Sequence, residues 1–361
     1  MLKQQKIFFD FLRFCIGSAK EIPDSLKEAD WKELYRIAQK QCLVGVLFDG
    51  IKKLPTEHIG MKKELLLQWM AESQMLEKAN VRLNDAAIQV SEWFRKKGFR
   101  TCILKGQGNA LMYPNPYSRT SGDIDIWVEG GDKRVISFVR SISPHEKACY
   151  HHIKFPSYKG VEVEVHYRPS FLLCFWHNRK LQKYYDRVKE EQFSHRVMLG
   201  EQGEIAIPTV EFNLIFQLTH IYAHLMNEGI GLRQLLDYYY LLISDDLSLI
   251  RDRVQKELKE LGLWKFAGAI MYIMQEVFGM PASRLIVPPN EMYGRFVLNE
   301  VLEAGNFGRH DERNRFGRSK LGHNLQRVYR DIRLVRYFPA EALCEPLFRV
   351  WHFFWRLKHR R

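Results

Sequence analysis

Apolar residues recur at helical spacing through the first hundred positions. Trp31, Leu34, Ile37 and Ala38 fall on one face, and so do Leu65, Leu66, Trp69 and Met70. The spacing predicts a longer helix over 77–97 that buries Val81, Ala87, Ile88, Val90 and Phe94. Its stop is Gly98, after a basic last turn of Arg95, Lys96 and Lys97. The period then changes to that of strands. Residues 99–104 form a short β-rich run, and 123–128 alternate before the turn residues Gly130, Gly131 and Asp132. A helix is expected over 133–141, ahead of Pro144. Residues 161–167 (VEVEVHY) alternate throughout. Helices return over 212–226, 232–244, 247–261 and 265–278. Pro288 and Pro289 then interrupt the chain before a basic, Gly-containing stretch at 305–322.

This order predicts an α+β fold: a helical region at 1–97, a mixed α/β core at 98–208 and a helical region with a basic tail at 209–361. The last helix, over 340–358, carries Phe348, Trp351, Phe353, Phe354 and Trp355 around much of its circumference. Such a helix either packs onto the body or lays its aromatics on a membrane surface.

Composition narrows the classes. The chain has 361 residues, 46% hydrophobic and 27% charged, an ordinary globular mixture. No long uncharged apolar run predicts a transmembrane segment, and the first residues, broken by Asp10 and Arg13, make a poor signal peptide, so a cytoplasmic location is expected. The six cysteines stand singly, which reads as reduced thiols rather than a disulfide frame or zinc site. Net charge is +13. Residues 305–361 hold fourteen Lys and Arg against five Asp and Glu, a surface suited to polyanions or simply a solvated face.

The chemistry gathers near Asp123 and Asp125. On a strand, alternate side chains share a face, so these two carboxylates point together while Ile124 and Ile126 point into the core. Crowded carboxylates repel unless a cation lies between them. Magnesium suits that setting, taking one or two carboxylates together with substrate phosphates. A further carboxylate is available on 161–167, where Glu162, Glu164 and His166 share one face. Glu164 or Glu162 would either ligate metal or accept the proton of an attacking hydroxyl.

Lys105, beside Gly106 at a strand exit, is placed to meet phosphate oxygens as a point charge. Arg119 either clamps a triphosphate through its fork or pairs with the aspartates. His166 is either a satisfied strand-end histidine or an orienter of Glu164. His220 and His224 have the i, i+4 spacing of a metal pair without the Glu of a zinc-protease motif, and a helix face near the nucleotide site suits them better. Arg233 and Asp237, also i, i+4, are expected to pair on a helix surface.

The run LKGQGNALMYPNPYSRTSGDIDIWV resembles the uncharacterised bacterial nucleotidyltransferase-like family of the DNA polymerase beta nucleotidyltransferase superfamily. The resemblance rests on Leu104, Lys105 and Gly106, on Tyr113 and Pro114, and on Arg119 ahead of Gly122-Asp123-Ile124-Asp125. Glu164-Val165-His166-Tyr167 and the stretch from Leu232 to Asp237 are similar to further parts of that family. It implies a small mixed β-sheet core flanked by helices. It also implies metal-dependent transfer of NMP from an NTP to an acceptor hydroxyl, with release of pyrophosphate. Asp123, Asp125 and Glu164 would hold Mg2+ or Mn2+. Lys105, the amides from Gly106 to Gly108, and Arg119 would address the triphosphate, and Arg233 the substrate. Two features depart from the wider superfamily: Lys105-Gly106 stands where Gly-Ser is usual, and Glu164 where Asp is usual. The acceptor is left open among a small molecule, an RNA end and a protein side chain. A relative that binds nucleotide or nucleic acid without transfer is the other reading of the same residues.

Overall fold

The computed structural model describes residues 3–201, 203–244, 247–308, 311, 313 and 320–359. The chain opens with α1 (Lys3–Ile16), α2 (Trp31–Lys40), α3 (Val44–Ile51) and α4 (Lys63–Lys96). The Asp30 carboxylate caps α2 by accepting from the Lys32 and Glu33 amides. The segments expected at 65–70 and 77–97 are one helix, because the intervening 71–76 (AESQML) holds no breaker. Val81 is exposed, contrary to the expected burial. The buried stripe of α4 runs through Leu83, Ala87, Val90 and Phe94, and Val81 lies on the opposite side of the helix.

Next come β1 (Thr101–Ile103), the single turn α5 (Gln107–Ala110), β2 (Ile124–Val128), α6 (Gly131–Ile142), β3 (His152–Tyr158) and β4 (Val161–His166). They build a mixed sheet in the order β1-β2-β4-β3. The central pair β2–β4 is parallel, and the outer pairs are antiparallel. Strand β3 has no clear signal in the sequence. Pro156 lies within it, and proline is tolerated only at a sheet edge or bulge. There it sits, pairing with β4 alone and shifting register between Phe155 and Tyr158.

The remainder is α7 (Phe175–Ser194), the small pair β5 (Arg196–Met198) and β6 (Glu204–Ala206), then α8 (Val210–Asn227), α9 (Leu232–Ile243), α10 (Arg251–Glu260), α11 (Trp264–Glu276), α12 (Glu291–Ala304), α13 (Lys320–Val335) and α14 (Pro339–Lys358). Much of the expected basic stretch at 305–322 lies outside the described residues. No helix among the described residues is long and apolar enough to cross a membrane. Mostly helical, with one small mixed sheet, the protein has the expected α+β fold.

Alternation along the strands divides the core. Ile124, Ile126 and Val128 of β2 join Val163 and Val165 of β4 against α4 and α6. The opposite face carries Cys102, Leu104 and Trp127 into the larger helical core. Trp127 packs there with ring centroids 4.6 Å from Phe193 and 5.9 Å from Phe212. Asp125 precedes Trp127 by two residues on the same face, at the end of the strand where the aromatic cover stops and a cavity begins. Helix α14 packs through Phe348, 5.1 Å from Phe171 and 5.8 Å from Tyr150, while Leu343, Leu347, Val350 and Phe354 face outward.

Candidate active site

The parallel pairing of β2 and β4 sets Asp125 directly level with Glu164. Asp123 stands one residue ahead of β2, and carboxylate oxygens of Asp123, Asp125 and Glu164 lie within 4.8 Å of one another. All three line a cavity of about 1300 Å³. Glu162, the other candidate, lies at the rim of the same cavity, three-quarters exposed and paired loosely with Lys154 at 4.0 Å. The third carboxylate of the cluster is therefore Glu164.

Charge crowding is visible in the acidities. Asp125, next door, pushes the Asp123 carboxyl above its usual range, with burial adding to the effect. Burial raises Glu164, and Asp125 raises it further. Burial also pushes Asp125 upward, but Lys105 and His166 outweigh it and hold this carboxyl below its usual range. The Lys105 ammonium is 3.1 Å from Asp125 Oδ2, and His166 Nε2 is 3.0 Å from Oδ1. Oδ2 is buried and accepts no well-aligned hydrogen bond. Three clustered carboxylates offer hard oxygen donors that suit a divalent cation, and these acidic groups could hold one.

The loop between β1 and β2 positions both ends of this cluster. The Leu104 amide donates to the Asp125 carbonyl at 3.0 Å, which extends the β1–β2 ladder and delivers Lys105 beside Asp125. Gly106 then turns the chain with φ +67°, a conformation that residues with a Cβ rarely adopt. Gly108 packs on Ile207, where an added Cβ would come within 3.0 Å. Gly106 and Arg119 line a smaller cavity of about 180 Å³, joined to the first through Lys105, Asp123 and Asp125.

Arg119 is placed differently from the expectation of a triphosphate clamp. Its guanidinium is buried and forks onto Asp237, Nε to Oδ1 and Nη2 to Oδ2, both at 2.7 Å. Asp237 also accepts from the Tyr113 hydroxyl at 2.6 Å. Burial raises the Asp237 carboxyl, Arg119 more than offsets this, and the group sits below its usual range. The expected surface pair of Arg233 with Asp237 is thus replaced. Asp237 is only 4% exposed, and Arg119 occupies it. Arg233 instead donates to the Thr120 carbonyl at 2.9 Å. Asn80 on α4 donates to the Tyr117 and Arg119 carbonyls at 2.7 and 2.8 Å. Together these contacts clamp the backbone that leads into Asp123.

Histidines complete the walls; His166, His220 and His224 are expected from spacing, and His151, His152 and His352 are not. His151 and His152 flank the start of β3, with Nε2 and Nδ1 2.9 Å apart. His220 and His224 on α8 are in contact at 3.1 Å, and His220 is also 3.1 Å from Lys105. Burial pushes His151 and His220 well below the usual imidazole range and His152 down to about 3. His152, Glu164 and His166 form a second group whose ligand atoms lie within 4.8 Å. The adjacent pair His151-His152 was the only signal available, hidden by the proline that obscures β3. On the far side, Arg327, Glu345, Phe348, Arg349 and His352 of α13 and α14 close the large cavity.

The family model described as uncharacterised nucleotidyltransferase matches residues 27–279. The chain belongs to that family. The match covers all three carboxylates, Lys105, Arg119 and Arg233, and ends before α12, so the α13–α14 wall lies beyond it. No curated protein matches the chain. Among solved structures, an antigenic nucleotidyltransferase-like protein from Paracoccidioides brasiliensis is similar at 12% identity and a TM-score of 0.32, over 59% of this chain and 96% of that one.

Proposed function

We propose that this family member is a metal-dependent nucleotidyltransferase that moves NMP from an NTP to an acceptor hydroxyl and releases pyrophosphate. The observation that carries the reading is the convergence of Asp123, Asp125 and Glu164 at the edge of a large cavity, with Lys105 as the adjoining cation. Asp123, Asp125 and Glu164 would hold Mg2+ or Mn2+, which when bound neutralises triphosphate charge and aligns the attacking and leaving oxygens. Lys105, at the junction of both cavities, meets the triphosphate as a point charge. Glu164, level with Asp125 across the strand pair and facing the cavity, is placed to take the proton of the attacking hydroxyl. Arg119 and Arg233 act through the backbone: one is locked on Asp237 and the other on Thr120, and they keep Asp123 in line with Asp125.

The acceptor would enter where α13 and α14 face the carboxylates. Arg327 and Arg349 on that wall both pair with Glu345, at 4.0 and 3.2 Å, so the wall does not select an acceptor by charge, and a small molecule, an RNA end and a protein side chain all stay open. The test is pyrophosphate release from each NTP with Mg2+ or Mn2+, in the presence of cell-derived RNA, protein and small-molecule fractions. Metal-dependent release that vanishes in Asp123→Ala/Asp125→Ala supports transfer. NTP binding without release in any fraction would identify a binding relative instead.

A further inference from the structure

Away from the carboxylate ledge, four side chains meet where the first turns of α14 cross the start of α7. Cys174 is the N-cap of α7 and His177 follows three residues on; Glu341 and Cys344 stand three apart near the start of α14. That spacing on a helix puts each pair on one face. Ligand atoms of Cys174, His177 and Glu341 lie within 4.8 Å of one another, and the Cys344 thiol neighbours Cys174. His177 Nδ1 is 3.7 Å from Glu341 Oε1. The imidazole sits against Gly262, where an added Cβ would come 2.3 Å from the ring.

Glu341 supplies a second, independent observation. It is 2% exposed. Oε2 accepts from the Leu173 amide at 2.6 Å and the Cys174 amide at 3.3 Å, while Oε1 is buried with no hydrogen-bond partner. An orphaned carboxylate oxygen inside a protein is costly and calls for a cation. This one faces the His177 imidazole, beside the Cys174 thiol.

We propose that Cys174, His177, Glu341 and Cys344 form a zinc site separate from the carboxylate ledge. Tetrahedral zinc with bonds of about 2.0–2.3 Å sets neighbouring ligand atoms roughly 3.3–3.8 Å apart. The His177–Glu341 separation already falls in that range. Soft thiolates select zinc, whereas the three carboxylates of the ledge suit magnesium, so the two sites sort different metals. Binding releases both thiol protons to water and leaves zinc with two thiolates, one carboxylate and a neutral imidazole. The His177 side chain is 26% exposed, which gives the ion a route in. The consequence is mechanical. Glu345, Phe348, Arg349 and His352 on the following turns of α14 wall the large cavity, and zinc would pin that wall to the 169–174 segment.

The test uses the full chain purified under reducing conditions from zinc-supplemented cells. One zinc per chain should survive dialysis against a weak chelator in the wild type and in Asp123→Ala/Asp125→Ala. In Cys174→Ser and Cys344→Ser it should fall at least severalfold, with circular dichroism checking the fold. Cobalt added to the metal-free wild type should give sulfur-to-cobalt charge-transfer absorption, which carboxylates and imidazoles alone do not produce. This spectrum decides the matter even if the serine variants fold poorly. Absence of that absorption with reactive thiols overturns the proposal. So does a Cys174–Cys344 disulfide whose reduction leaves the chain unable to take up metal.

Discussion

Two polar clusters flank the short backbone segment at 120–123, and they are built in opposite ways. On one side Asp237 is enclosed and answered, by both nitrogens of the Arg119 fork and by the Tyr113 hydroxyl. On the other, Asp123, Asp125 and Glu164 face a cavity, Asp125 pushes the pKa of both its neighbours upward, and one lysine stands beside Asp125. A satisfied buried network fixes geometry, because removing either partner strands the other. A crowded, under-answered cluster holds electrostatic potential for something that arrives. The difference separates architecture from chemistry in residues that look alike in the sequence. Lys105 and Arg119 are both basic and both near a glycine, yet one borders the cavity and the other is structural.

The largest effect should come from opening the closed cluster. Arg119→Ala leaves Asp237 buried without its cation and should lower unfolding free energy by about 3–5 kcal/mol in a denaturant titration. A loss below about 1 kcal/mol would break the comparison, since it would mean the knot holds little together. Tyr113→Phe removes one hydrogen bond to the same carboxylate and should cost about 1.5–3 kcal/mol, with the nucleotide affinity of the folded protein unchanged. Lys105→Met should weaken NTP binding about tenfold, the worth of one charge-assisted contact, and should also cost stability at neutral pH, because the buried Asp125 keeps only His166 as a partner.

The smallest effect carries the sign of a carboxylate that is crowded and buried rather than answered. Asp123 has a folded-state pKa above its ordinary value. Its contribution to stability is thus complete in acid, below the unfolded value, and is lost as pH rises through the folded one. Asp123→Asn keeps the neutral form at every pH. In metal-free protein it should raise the melting temperature by a few degrees at neutral pH and leave it unchanged in acid. Asp125 lies below its usual range, so its stabilising share appears as pH rises and is intact at neutral pH. A lower melting temperature for Asp123→Asn at neutral pH would contradict the crowding.

Much of this was legible from spacing alone. Alternation on 123–128 and 161–167 gave both central strands, and the shared faces brought Asp123, Asp125 and Glu164 together as expected. What stayed hidden depended on contacts distant in sequence. Arg119 and Asp237 are 118 residues apart, and nothing local distinguishes a guanidinium bound for a buried carboxylate from one bound for phosphate. Strand β3 was masked by Pro156, and with it went the His151–His152 wall. The cavity's far side comes from α13 and α14, whose basic and aromatic residues read as a tail until the fold brings them over the carboxylates.

Whether the ledge on β2 and β4 holds metal and nucleoside triphosphate is decided by isothermal titration of each of the four NTPs with magnesium, beside the Asp123→Ala/Asp125→Ala protein. At least one NTP should bind the wild type in the micromolar range, dependent on the metal and weakened by at least about a hundredfold in the variant. Metal-independent binding that survives in the variant, or no binding of any NTP by the folded wild type, would contradict it.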